Sequence, residues 1–101
     1  MSPIHVTPSE KEILDNILQG PFDVLVFGSR VKGTHHTHSD LDICLKSSTP
    51  INLSLVSKIK EKLSNSDLPF LVDVVLYQDI SDEFKTIIDR EAVLLSDTQP
   101  V

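Results

Sequence analysis

A chain of 101 residues has room for one hydrophobic core, since a domain this small buries only about 60–70% of the surface of its unfolded form. With 40% hydrophobic and 24% charged residues, and no apolar run near the roughly 18 residues needed to cross a bilayer, it reads as a water-soluble protein rather than a membrane one. A net charge of −6 with only nine Lys plus Arg argues against direct binding of long nucleic acid, although a nucleotide that arrives with a divalent cation is compatible with it.

The N-terminal stretch has no basic region followed by an apolar core and a small-residue cleavage site, which points to a cytoplasmic protein. Thr7, Pro8 and Glu10 have the layout of a helix start, with Thr7 as N-cap, proline at the first helical position and Glu10 completing a capping box. Ile13, Leu14, Ile17 and Leu18 then share one helical face, and Gly20-Pro21 stops the helix. Phe22 to Phe27 is an apolar, β-prone run between Pro21 and Gly28, as expected of a buried strand. From Gly28 to Asp40 the chain is polar with two glycines, consistent with a turn, a helical turn over Ser29 to Lys32 and a loop.

Leu41 to Leu45 is predicted as a second strand, with Asp40 and Asp42 on one face and Leu41 and Ile43 on the other. Cys44, the single cysteine, sits there as a small buried hydrophobe. After the loop at Ser47 to Pro50, Leu53, Val56, Ile59, Lys60 and Leu63 mark a second helix running to about Ser64, ended by Asn65 to Asp67. Phe70 to Tyr77 reads as a strand that is apolar except for Asp73, a lone carboxylate whose burial is costly without a counter-ion. Ser81-Asp82-Glu83 caps a third helix, whose Phe84, Ile87 and Ile88 belong to the core or could be shared with a partner. Ala92 to Leu95 adds a short strand or extends that helix, and residues 96–101 are expected as a frayed tail.

Chemistry concentrates in three carboxylates. Asp40 and Asp42 can chelate one hard divalent ion together, and Asp73 from a neighbouring strand can hold a second and help deprotonate a hydroxyl. Upstream, Gly28 lets a phosphate approach the backbone, while the hydroxyl of Ser29 and N–H groups at a helix start bind an anion. Arg30 and Lys32 can offset phosphate charge, and Ser39 is a further candidate for nucleotide contact. His35, His36 and His38 lack a companion ligand set and read as a solvated loop.

The string from Val26 to Leu45 resembles the signature of the minimal nucleotidyltransferases of the DNA polymerase beta superfamily. Phe27-Gly28-Ser29 and Asp40-Leu41-Asp42-Ile43 fit its two conserved elements, and Val72-Asp73-Val74 fits the third carboxylate strand. The resemblance implies an α/β fold, a small mixed sheet with helices packed mainly on one side, in one domain over 1–101 with its core at about 8–95. It further implies two magnesium ions held by Asp40, Asp42 and Asp73, with ATP as substrate and a HEPN-type all-helical toxin as hetero-oligomeric partner. Adenylate would pass to a tyrosine of that partner, making the chain an antitoxin. The competing reading is a non-catalytic, nucleotide-binding antitoxin subunit that masks its partner. The loop holding Thr34 to His38 departs from the family pattern, where arginine, proline and acidic residues are common.

Overall fold

The computed structural model describes residues 2–36 and 39–100. In chain order the elements are β1 (Ser2–Ile4), α1 (Pro8–Ile17), β2 (Asp23–Phe27), α2 (Ser29–Lys32), β3 (Leu41–Lys46), α3 (Leu53–Ser64), β4 (Val72–Leu76), α4 (Asp82–Glu91), β5 (Val93–Leu94) and β6 (Thr98–Pro100), with 3-10 turns at Tyr77–Asp79 and Leu95–Asp97.

Helix boundaries follow local chemistry. The Thr7 hydroxyl accepts the Glu10 N–H while the Glu10 carboxylate accepts the Thr7 N–H, so α1 opens on the expected capping box. Asn52 caps α3 by accepting the Ser54 N–H at 2.7 Å, and Ser81 caps α4 by accepting the Phe84 N–H at 3.1 Å.

The main sheet has four strands in the order β4-β3-β2-β5, with β3 antiparallel to β2 and parallel to β4. Leu41, Ile43 and Leu45 of β3 join Val24 and Val26 of β2 and Val74 and Leu76 of β4 in one buried cluster, together with Leu14 and Leu18 beside α1 and Val56, Ile59 and Leu63 of α3. That face is the core.

On the opposite face α4 covers one end of the sheet. Cys44 and Ile88 are both buried yet stand outside the main cluster, so alternation along β3 breaks at Cys44, where the sheet is covered on both sides. Phe84 meets Phe27 edge to face at 5.5 Å, and the Tyr77 hydroxyl donates to both Asp89 oxygens at 3.0 Å. Of the three apolar residues read as shareable with a partner, Ile88 is fully enclosed, Phe84 is half-buried and Ile87 stays exposed.

Two expectations need correction. The tail over 96–101 is not frayed where it is described: Thr98–Pro100 pairs in parallel with Ser2–Ile4, and the buried Thr98 hydroxyl donates to the Leu95 carbonyl at 2.6 Å. Asp73 is not a buried charge, because β4 lies at the sheet edge and the side chain is exposed. No helix among the described residues is long and apolar enough to cross a membrane.

Candidate active site

The carboxylates stand in the row of the sheet that begins at Phe27, the ring against which Phe84 of α4 packs. Register places Phe27 of β2, Asp42 of β3 and Asp73 of β4 side by side across three strands, so their side chains share one face. Asp40 lies one residue before β3, which begins at Leu41, and is exposed beside them. The proton affinity of Asp42 reports the convergence. Its carboxyl is held above the ordinary carboxylate range first by burial, then by the charge of Asp73, then by that of Asp40.

Gly28 closes the fourth side. It caps α2 with φ +85° and ψ −159°, a conformation that side chains rarely adopt. A Cβ built there would overlap Asp42 Oδ2 and lie 3.2 Å from its Cγ, so only glycine lets the carboxylate sit against this turn. Val31 and Lys32 both donate their N–H groups to the Gly28 carbonyl at 3.1 Å. Ser29 opens α2, so its hydroxyl and N–H stand at the first turn of the helix, next to Gly28.

The other predicted contacts part company. Arg30 is only 5% exposed: Nη1 donates to the His5 carbonyl at 2.8 Å, Nε donates to the Ser39 carbonyl at 3.1 Å, and the guanidinium lies 4.1 Å from the centre of the Phe70 ring. Its Nε and Nη1 are thus engaged inside the fold. Ser39 accepts the His36 N–H on its hydroxyl at 2.7 Å and so shapes the loop entering β3. Lys32 is half exposed and pairs with Glu91 of α4 at 3.5 Å.

His35 also departs from its reading as a solvated residue. Its ring lies 4.9 Å from that of His5, its Nδ1 is buried without a hydrogen-bond partner, and burial followed by Arg30, His5 and His36 lowers its proton affinity. His36 is exposed, and His38 lies outside the described residues. No sequence signal marked His5 or Phe70 as parts of this clamp, since both act through distant partners.

Among the described residues no ion pair or side-chain hydrogen bond engages Asp40, Asp42 or Asp73. An all-oxygen donor set with mutually repelling charges is the chemistry that a hard divalent cation relieves. Among the described residues no three ligating side chains are grouped closely enough to hold an ion as they stand.

The model of the polymerase beta nucleotidyltransferase family matches residues 11–100, which include every part of this constellation. The chain belongs to that family. This nucleotidyltransferase is 33% identical over 99 residues to a probable protein adenylyltransferase, MntA, of Haemophilus influenzae, covering 95% of the chain and 87% of that protein. Its fold matches a toxin–antitoxin crystal structure with AMP-PNP at a TM-score of 0.66 and 23% identity, over 87% of this chain and 72% of the other. It also matches a mutant MntA–HpeT toxin–antitoxin structure, with two aspartates replaced by glutamate, at 0.64 and 20% identity, over 86% and 69% of the two chains.

Proposed function

We propose that this nucleotidyltransferase moves AMP from ATP onto a hydroxyl of a toxin partner, a tyrosine of a HEPN-type helical protein, and thereby acts as an antitoxin. The observation that carries the reading is the row of Asp42 and Asp73 with Asp40 beside them, packed against the turn at Gly28. Similarity to a protein named as an adenylyltransferase supports the nucleotide and the protein acceptor.

In this scheme the turn at Gly28 and the Ser29 hydroxyl hold the phosphates, with glycine at 28 allowing the close approach. Asp40, Asp42 and Asp73 would hold magnesium, as two ions, and the metal would supply charge neutralisation at the phosphate oxygens and acidify the attacking hydroxyl. Asp73, exposed at the sheet edge, accepts the proton of that hydroxyl as its oxygen attacks the α-phosphorus and pyrophosphate departs. The Arg30 guanidinium contributes by bonding the Ser39 carbonyl, next to Asp40.

Incubating the protein with a HEPN-type toxin partner, magnesium and ATP labelled on the α-phosphate should transfer label to a tyrosine, located by mass spectrometry. An Asp42→Asn variant should lose at least about a hundredfold of that rate. Equal labelling by the variant would end the proposal.

A further inference from the structure

We infer that the acceptor enters as an extended segment added to the open edge of β4, an inference that rests on the transfer reading above. β4 is the outermost strand of its sheet, bonded to β3 alone. The Leu71 carbonyl accepts the Leu41 N–H at 2.9 Å, so by alternation the backbone groups of residues 71, 73 and 75 face β3 while those of Val72 and Val74 face outward. Among the described residues no other backbone group bonds to that outer edge. A strand edge of this kind is a template for an incoming chain, and here it carries Asp73 next to Asp42.

The surface around the edge selects the occupant. A groove of about 430 Å³ runs beside the start of β4, with apolar walls from Leu63, Leu68 and Leu71 and polar ones from Asp40 and Lys60. Leu71 is 74% exposed and presents its apolar side chain to that groove. In an added strand successive side chains point to opposite faces. A hydroxyl residue opposite Asp73 therefore lies on the carboxylate face, and the residue next to it points to the face of α3 and the groove. The net charge of −6 favours flanking arginine or lysine.

The occupant is thus an extended segment of the partner with a hydroxyl residue, an apolar neighbour and basic flanks. In the reaction its oxygen forms a bond to the α-phosphorus, the bond from that phosphorus to the bridging oxygen breaks, pyrophosphate leaves, and the hydroxyl proton passes to Asp73.

The test uses decapeptides with one central tyrosine, leucine or aspartate beside it and arginine on the flanks, together with a copy of the leucine peptide N-methylated at alternate amides. With a non-hydrolysable ATP analogue and magnesium, the leucine peptide should slow hydrogen exchange at the Val72 and Val74 amides at least about tenfold. With ATP it should be labelled at least about tenfold faster than the aspartate or the N-methylated peptide. Val72→Pro removes one outward N–H at the first residue of the strand, where proline is tolerated, and should lower labelling similarly while ATP binding holds.

The N-methylated peptide keeps the inference testable if that variant fails to fold. Labelling without amide protection, equal labelling of the N-methylated peptide, or no labelled peptide with magnesium-dependent ATP binding intact would each overturn edge addition alone. Loss of ATP binding by the wild-type protein, or equal transfer to the toxin by Asp42→Asn, would instead remove the transfer reading, and edge addition with it.

Discussion

At the scale of single residues, Asp42 concentrates the tension of the site. Its folded carboxyl keeps its proton to higher pH than the ordinary 3.8 expected of the unfolded chain, because burial and then Asp73 and Asp40 disfavour the charge. Between those two values the folded state binds more protons than the unfolded state, so stability falls as pH rises through that window. Asp42→Asn should therefore melt about 2–5 °C above wild type at neutral pH, with the gap closing as the pH approaches about 4. Calorimetry across that range measures it, and a variant no more stable than wild type at neutral pH would mean that the carboxylates do not press on one another. Magnesium should raise the melting temperature of wild type and leave the asparagine variant nearly unmoved, since only the folded aspartates gather the ion.

Gly28 makes the complementary case. Alanine there meets both the positive φ and the Asp42 carboxylate, for a cost of about 1–3 kcal/mol in denaturant unfolding. Pairing it with Asp42→Ala should return part of that cost, because the overlap disappears while the backbone strain stays. Full additivity in the double variant would assign the whole penalty to the backbone. The sequence marked Gly28 as a turn residue that a phosphate could approach, whereas the structure shows its positive φ. Its packing against Asp42 was not legible there, because that contact depends on the register between β2 and β3.

At the scale of elements, periodicity and capping residues were enough to place α1, α3, α4 and the β2, β3 and β4 strands, since each has an apolar stripe or run bounded by a cap, glycine or proline. Arg30 shows what such patterns miss. On a polar loop it reads as a phosphate ligand, yet the fold brings the His5 carbonyl, the Ser39 carbonyl and the Phe70 ring around it from three different segments. Arg30→Ala would leave two carbonyls without this donor and open space beside Phe70, at about 2–4 kcal/mol. Lysine should not rescue it, lacking the planar fork that reaches both oxygens. If Arg30→Ala keeps wild-type stability and instead weakens ATP binding, the guanidinium belongs to the substrate after all.

At the scale of the whole molecule, the helices divide the sheet into a buried face under α1 and α3 and a second face that α4 covers only in part, which is why a reactive row can remain open on so small a protein. What the sequence could not convey was how the two ends of the chain meet. Ser2–Ile4 and Thr98–Pro100 are too short and too rich in proline and polar residues to show alternation, and their pairing is long-range. The pairing nevertheless positions fully buried Ile4 and, one residue on, the His5 carbonyl that receives Arg30. Truncation after Asp97 should release β1, expose Ile4 and slacken the arginine clamp, a loss of about 2–4 kcal/mol given that one buried isoleucine contributes about 1.5–3. For a domain of this size the melting temperature should drop by at least about 8 °C, and hydrogen exchange should quicken at the His5 amide, which donates to the Arg30 carbonyl at 2.9 Å. A truncated protein that melts within about 2 °C of the full chain would show that Ile4 and Arg30 hold their places without β6.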